Sequence, residues 1–271
     1  MNRYLRLFRL GNAVMGFIGV IAGAFIAAGL DIGGYWINIL IACLIVVAVM
    51  AGGNSVNDYV DREIDKTAHP ERPIPMGEIE PEHALRVGLA SLVLACLISV
   101  LMRSAPLTCI VVAACILMVL YEMVLKQKGF AGNLTIGVLT GMVFLFGGAV
   151  VGNMADAAIF AVMAFLATTG REVTKDIEDM ESDEGRSTLP MMIGERNAAF
   201  VSAAFFVTGP VLSLWPFFSG KLGILYLSVL LADAMFIYAA LVVFKDPRKA
   251  QKTAKAAMFA AIVAFVLGAL S

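Results

Sequence analysis

The sequence predicts an all-α membrane protein that crosses the bilayer many times, and three observations support this prediction. Of its 271 residues, 60% are hydrophobic and only 15% are charged, and the mean hydropathy is +0.87. A soluble domain has about 45–50% apolar and about 25% charged residues. The apolar residues form repeated runs of about 20 residues, the length that a helix needs to cross the hydrocarbon core. The basic residues gather in every second connection between these runs.

Nine apolar runs are long enough to be transmembrane helices, and each is bounded by charged residues, Gly or Pro. No strand-like alternation or Ser/Gly-rich linker interrupts them. We therefore expect nine transmembrane helices around a central cavity, in a single domain over residues 1–271. The runs cover residues 10–30, 35–57, 84–102, 106–125, 133–152, 157–175, 197–217, 222–244 and 253–270.

The distribution of Lys and Arg predicts the orientation in the membrane. Eighteen of the 20 basic residues fall in the N-terminal segment and in the connections on the same side, and only Arg103 and Lys221 fall on the other side. Basic residues are enriched in cytoplasmic loops, so we expect a multi-pass protein of the cell membrane with a cytoplasmic N-terminus. The net charge of −1 gives no field that would attract nucleic acid.

Fifteen of the 21 acidic residues lie in two short segments, at 58–82 and 172–184. The two segments match with an offset of 118 residues. Their shared positions fall within a sector of about 60° on a helix, so each forms a polar stripe, which we call the first and the second stripe. The first stripe is Asn54, Asp58, Asp61 and Asp65, and the second is Glu172, Asp176, Asp179 and Asp183.

A row of carboxylates on one helix face is self-repelling unless a cation neutralises it. Aspartate oxygens suit Mg²⁺, which often shares its coordination shell with phosphate oxygens. The only histidines, His69 and His83, form no zinc pattern with the cysteines. The alternative is that both segments are solvated loops. Because the spacing is repeated, we favour two metal-loaded stripes that face each other and bind a diphosphate, in two related halves at about 1–130 and 131–271.

Several basic residues lie beside the stripes. Arg72 is in a proline-rich loop, His69–Pro75, that could hold its guanidinium rigidly toward a phosphate. Lys126 follows Tyr121 at the end of the fourth run, and Lys175 lies within the second acidic segment. For the lysines, interfacial snorkelling is the alternative interpretation. Asp233, midway along the eighth run, has no assigned role, and we expect the basic residues of 245–255 to contact anionic lipid headgroups.

The two acidic segments resemble the two signature motifs of the UbiA superfamily of intramembrane prenyltransferases. The first match is Asn57-Asp58-Tyr-Val-Asp61-Arg-Glu-Ile-Asp65 with Arg72-Pro-Ile-Pro75 after it. The second is Lys175-Asp176-Ile-Glu-Asp179-Met-Glu-Ser-Asp183 with Thr188-Leu-Pro190. Lys126 stands five residues after Tyr121, where some members have four.

The resemblance implies a prenyl diphosphate bound through Mg²⁺, with its tail in a hydrophobic chamber and the active site open to the cytoplasm. The allylic C–O bond would ionise and an acceptor would capture the carbocation, which the Tyr121 ring could face. The implied metal ligands are Asn54, Asp58, Asp61 and Asp65 for one ion and Asp176, Asp179 and Asp183 for the other. The implied diphosphate ligands are Arg72, Lys126, Lys175, Asn54 and Asn57.

Within the superfamily, the sequence looks most like the archaeal branch that makes ether lipids. There a geranylgeranyl group passes from geranylgeranyl diphosphate to the free hydroxyl of geranylgeranylglyceryl phosphate. Spare cations such as Arg9 or Lys128 could bind the phosphate of such an acceptor. Prenylation of an aromatic quinone precursor or of haem is the alternative within this fold. An ion transporter is the alternative of another class, although transporters typically place ionisable groups near the bilayer midplane.

Overall fold

The computed structural model describes residues 2–180 and 187–271, with side chains except at residues 10–13. The described residues form helices and contain no β-strand, which confirms the predicted all-α class. The helices are α1 (Arg3–Phe8), α2 (Leu10–Ala28), α3 (Trp36–Val60), α4 (Arg62–Ala68), α5 (Pro81–Leu101), α6 (Ala105–Met123), α7 (Phe130–Val150), α8 (Met154–Glu178), α9 (Leu189–Ile193), α10 (Glu195–Ser213), α11 (Trp215–Phe218), α12 (Val229–Val242) and α13 (Pro247–Ala269).

Within the described ranges, eight helical segments are long and apolar enough to cross a membrane. Seven of them coincide with one predicted run each. The first two predicted runs fall together in one segment of 47 residues, Val14–Val60. At 1.5 Å per residue this segment would extend about 70 Å, more than twice the hydrocarbon thickness of a bilayer. It is divided by a 3₁₀ turn at Gly29–Tyr35, and the α2 and α3 parts pack against each other.

Helix boundaries follow local signals in the sequence. Proline lies at one of the first two positions of α5, α6, α9, α11 and α13, where its missing N–H costs no hydrogen bond. The Asp246 carboxylate accepts a hydrogen bond from the backbone N–H of Lys249 and caps α13. Arg103 adopts a left-handed conformation (φ 54°) and makes the tight turn between α5 and α6.

Small residues bring α2, α7 and α8 into close contact. A Cβ added at Gly147 of α7 would lie 2.7 Å from the backbone nitrogen of Ala24 in α2. A Cβ added at Gly141 would lie 2.7 Å from the carbonyl oxygen of Ala161 in α8. Close backbone approach at small residues is a common way for helices to associate within a membrane. It holds three helices together at one side of the chamber described next.

The bundle encloses a chamber of about 390 Å³, within the range of about 300–1,000 Å³ for small-molecule sites. Residues from eight helices line it, and its wall is almost entirely apolar. Asp233 is the one charged side chain among the lining residues that the structure describes. Its carboxylate accepts a hydrogen bond of 2.7 Å from the Ser213 hydroxyl. Representative lining residues are Met50, Met118, Val143, Ala164, Phe205 and Phe236.

Candidate active site

The first stripe continues α3 into α4 as predicted, with a bend at Asp61. Asp61 lies between the two helices, but helical hydrogen bonds cross it. Its N–H donates to the Asn57 carbonyl (2.9 Å), and the Asp65 N–H donates to the Asp61 carbonyl (2.8 Å). The Asn54 side chain donates to the Phe8 carbonyl (2.8 Å) and ties the stripe to α1. The stripe residues therefore remain in helical register.

Asp58 is the most deeply buried carboxylate of the first stripe, with 1% of its surface exposed. Its Oδ1 accepts a hydrogen bond from Arg9 Nη2 and lies 3.7 Å from Arg72 Nη1. Its Oδ2 is buried and has no hydrogen-bond partner among the described residues. An unpaired buried carboxylate oxygen is costly unless a cation or donor satisfies it.

The other two carboxylates of the first stripe are also ion-paired. Arg72 Nη1 donates to Asp65, which is only 3% exposed. Lys126 Nζ donates to Asp61 Oδ2. The structure thus brings two of the three basic side chains predicted from sequence, Arg72 and Lys126, onto the first stripe.

Two further residues join this cluster that the sequence analysis did not place in it. Arg9 was expected to be a spare cation, but it contacts both Asp58 and Asn57, the latter at 3.3 Å. Glu122 is 8% exposed and accepts hydrogen bonds from Asn57 (2.8 Å) and Lys126 (3.4 Å). The sequence contains a signal for Glu122, because a carboxylate four residues before Lys126 at the end of an apolar helix predicts an ion pair.

The second stripe follows the same pattern at the end of α8. Asp176 Oδ2 accepts a hydrogen bond of 2.9 Å from Asn133 at the beginning of α7, and Asp179 follows the last residue of α8. Asp183 lies outside the described residues. Lys175 is exposed. Tyr121 is half-buried near the end of α6.

The connection between α6 and α7 links the two stripes. Lys126 contacts Asp61 of the first stripe, and Asn133 contacts Asp176 of the second. Seven residues of chain span at most about 25 Å, and part of this connection is helical. The stripes therefore lie at the same end of the bundle.

Not every acidic residue of the two segments belongs to this cluster. Glu63, on the outer face of α4, is exposed and accepts a hydrogen bond of 2.7 Å from Lys66. This hydrogen bond lowers the pKa of the Glu63 carboxyl. The solvated-loop interpretation therefore holds for Glu63, whereas the three aspartates of the first stripe are largely buried.

The carboxylates form an oxygen-only donor set, which is the set that Mg²⁺ prefers. Among the described residues, no three His, Cys, Asp or Glu side chains converge on one point as a metal site would require. The carboxylates of the first stripe pair with basic side chains instead. The donor chemistry nevertheless fits a magnesium ion, and the unpaired Oδ2 of Asp58 is the oxygen best placed to accept one.

The polar cluster lies at one end of the apolar chamber. On α3, the lining residue Met50 precedes Asp58 by eight residues, or about 12 Å. On α8, Ala167 precedes Asp176 by nine residues, or about 13 Å. A charged headgroup and a long apolar tail would fit this arrangement.

Comparison with known proteins agrees with this geometry. The UbiA prenyltransferase family matches residues 16–263. A relative from Natronomonas pharaonis named digeranylgeranylglyceryl phosphate synthase is 38% identical, over 98% of this chain and 96% of its own length. A relative of the same name from Methanosphaera stadtmanae is 34% identical over the full length of both proteins.

Two solved structures are also similar. One, described as concerning digeranylgeranylglyceryl phosphate synthase in membranes, has a TM-score of 0.88 at 34% identity and covers 99% of this chain and 98% of its own. A UbiA homolog from Archaeoglobus fulgidus, bound to GPP and Mg²⁺, shares the fold at 15% identity with a TM-score of 0.74, over 99% of each chain. The resemblance seen in the sequence is confirmed: the chain is an integral membrane protein that belongs to the UbiA prenyltransferase family.

Proposed function

We propose that this protein is a digeranylgeranylglyceryl phosphate synthase. It transfers a geranylgeranyl group from geranylgeranyl diphosphate to the free hydroxyl of geranylgeranylglyceryl phosphate. The observation that carries the proposal is a cluster of buried, paired carboxylates and cations at the mouth of an apolar chamber. The full-length relatives that bear this name support the choice of acceptor.

The metal ligands that we propose are those implied by the family motifs. Asn54, Asp58, Asp61 and Asp65 hold one Mg²⁺, and Asp176, Asp179 and Asp183 hold the other. When bound, the metal neutralises negative charge on the leaving diphosphate. The A. fulgidus homolog, which binds GPP and Mg²⁺, supports this choice of ion.

The basic side chains bind the phosphates. Arg72 and Lys126 are held at the stripe by carboxylates, so they are already oriented when the donor arrives. Asn57 and Lys175 contribute further hydrogen bonds to the diphosphate, and the Tyr121 ring faces the allylic cation. These roles are proposals that rest on the motif matches and on the location of the residues.

The reaction is a substitution at the allylic carbon. The C–O bond to the diphosphate breaks and its electron pair leaves with the diphosphate. The acceptor oxygen then forms the new C–O ether bond and releases its proton. The apolar wall of the chamber excludes water, which would otherwise capture the cation and give a free alcohol.

We also propose the arrangement in the membrane. The segment Val14–Val60 crosses twice, which gives nine transmembrane helices in one domain with two related halves. The N-terminus and the active-site mouth face the cytoplasm of the cell membrane, because the basic residues are concentrated at that end. In a cysteine-free background, Lys221→Cys should react with an impermeant reagent in intact cells, and Lys128→Cys only after permeabilisation. The opposite pattern would reverse the orientation.

The decisive experiment incubates the purified protein in nanodiscs with radiolabelled geranylgeranyl diphosphate, Mg²⁺ and one acceptor at a time. Geranylgeranylglyceryl phosphate should become labelled, and an aromatic quinone precursor and haem should not. EDTA should abolish labelling and added Mg²⁺ should restore it. Labelling of the quinone precursor or haem alone would identify the alternative acceptor. Ion flux without any labelled product would point to a transporter.

Two active-site variants and one control complete this test. Asp61→Ala and Asp179→Ala should abolish transfer while the protein remains folded, because each removes a central carboxylate of a stripe. Glu63→Ala removes an exposed carboxylate from the same acidic segment and should keep activity within about twofold, as for most surface substitutions. Normal turnover in either aspartate variant would contradict the metal-binding role of that stripe.

A further inference from the structure

Three basic residues of the site are engaged by the first stripe. Arg9 contacts Asp58, Arg72 contacts Asp58 and Asp65, and Lys126 contacts Asp61. A donor diphosphate with its metal ions would draw on these same groups. The proposed acceptor carries a phosphate of its own, which needs a cation outside this set.

Arg171 lies on the same side of α8 as two residues that line the chamber. It follows the lining residues Ala164 and Ala167 by seven and four positions, which places all three on one side of the helix. Asp176 lies on another side of α8, where it contacts Asn133 of α7. Along the helix axis, Arg171 is about 6 Å beyond Ala167 and about 7.5 Å short of Asp176. It therefore lies between the apolar chamber and the level of the diphosphate site.

The Arg171 guanidinium is largely buried and only partly satisfied. Its side chain is 23% exposed, and Nη1 donates a hydrogen bond of 2.8 Å to Glu172 Oε1. Its Nε is buried and has no hydrogen-bond partner among the described residues. A guanidinium offers five N–H donors in a planar fork that matches a phosphate. A buried donor without a partner is costly in the free protein, and an anion would satisfy it.

We propose that Arg171 binds the phosphate of the acceptor and thereby sets the enzyme's preference for a phosphorylated acceptor. This inference rests on the proposed function. In a glycerol phosphate, the phosphate and the free hydroxyl are on adjacent carbons, so the residue that holds the phosphate also places the hydroxyl. Phosphate binding at Arg171, just below the diphosphate level, brings that hydroxyl to the allylic carbon. Glu172 accepts the hydrogen bond from Nη1 and holds the guanidinium in position.

The test compares wild type, Arg171→Met and Arg171→Lys in nanodiscs, with Arg86→Met as the control. Arg86 is an exposed arginine on α5, outside the site. Arg171→Met should raise KM for geranylgeranylglyceryl phosphate by about tenfold to a hundredfold, the range for loss of charge-assisted hydrogen bonds. Arg171→Lys keeps the positive charge but loses the planar fork of N–H donors. Its KM for geranylgeranylglyceryl phosphate should therefore lie between those of wild type and Arg171→Met. KM for geranylgeranyl diphosphate should stay within about twofold in every variant.

A second acceptor separates phosphate recognition from a general structural effect. With the dephosphorylated acceptor, geranylgeranylglycerol, the wild-type rate should be low. Arg171→Met should have the same low rate with this acceptor. A rise in the donor KM with an unchanged acceptor KM would assign Arg171 to the diphosphate and overturn the proposal. An equal loss of transfer rate with both acceptors in Arg171→Met would also overturn the proposal. If wild type uses no glycerol-based acceptor at all, the proposed function itself fails, which is a different result.

Discussion

At the scale of single residues, the three aspartates of the first stripe are each matched by a basic side chain. Asp58 is matched by Arg9, Asp65 by Arg72 and Asp61 by Lys126. In the low dielectric near a membrane, an unmatched carboxylate at these positions would be strongly destabilising. The pairs therefore stabilise the stripe in the free protein.

Lys126 allows the clearest test of this charge balance. Lys126→Met leaves Asp61 and Glu122 as neighbouring buried carboxylates with no ammonium between them, and it removes a proposed phosphate ligand. Breaking a buried ion pair on one side costs about 3–5 kcal/mol. We therefore expect the variant to unfold at a lower temperature and to lose at least about 99% of turnover. Thermal unfolding and initial rates with saturating substrates measure the two effects.

Lys128 supplies a matched control for that substitution. It lies two residues further along and is exposed, so Lys128→Met should change neither the unfolding temperature nor the rate beyond about twofold. Equal losses in both variants would mean that the general positive charge of this connection, and not the Asp61 pair, is what matters.

The sequence alone could predict much of this cluster, but not all of it. Asp58, Asp61, Asp65 and Arg72 follow from spacing and from a stiff loop, and the structure brings them together. Arg9 could not be assigned, because its contact with Asp58 spans 49 positions and depends on how α1 folds back. Arg171 and Lys175 are one turn apart on the same side of α8, and only the folded structure shows that Lys175 is exposed whereas Arg171 is largely buried.

At the scale of helices, α1 is a short strap that carries Arg9 to the site. Its Leu7 is fully buried against Ile74, Ile79 and Ala84 around the loop that bears Arg72. Arg6 pairs with Glu78 at 2.9 Å, which adds a second attachment. One small hydrophobic cluster therefore positions both guanidiniums that contact Asp58.

This attachment predicts that Leu7→Ala acts on catalysis at a distance. A Leu→Ala change in a core costs about 2–5 kcal/mol, here in the docking of α1. We expect proteolysis at the arginines of α1 to become faster and the transfer rate to fall by about tenfold or more. Mass spectrometry of the cleavage products and initial rates provide the measurement.

Leu5 is the control within the same helix. It is 44% exposed, so Leu5→Ala should leave both cleavage and rate near the wild-type values. If Leu7→Ala accelerates cleavage without affecting transfer, Arg9 is dispensable for the reaction and α1 has only a structural role.

Helix positions were the most predictable feature, because each apolar run ends at a charge, Gly or Pro. The bend at Asp61 was not predictable, since its helical hydrogen bonds continue on both sides. The separation of α2 from α3 was expected, because the first two apolar runs were predicted as separate helices. The 3₁₀ turn at Gly29–Tyr35 keeps that junction helical, which is why the two runs merge into one apolar segment.

At the scale of the whole molecule, the chamber is a joint product of eight helices, each of which contributes only a few side chains. No single helix carries a recognisable pattern for it, because its lining residues are the ordinary Met, Val, Ala and Phe of any membrane helix. One of its lining residues can nevertheless be located along α10. Gly209 lines the chamber 14 residues, or about 21 Å, from the first residue of that helix.

Gly209 offers a way to shorten the chamber without disturbing the bundle. A Cβ added at this position meets no heavy atom within 4 Å, so a larger side chain would extend into the space where the far end of a long tail lies. Gly209→Leu should lower kcat/KM for geranylgeranyl diphosphate by about tenfold, as expected for overpacking of about 1–3 kcal/mol. Geranyl diphosphate has half the chain length and should be affected much less. Thr208→Leu adds bulk at the neighbouring exposed position. It should leave the ratio of kcat/KM for the two donors unchanged. If Gly209→Leu slows both donors equally, the tail does not extend along this wall, and the chamber serves another part of the substrates.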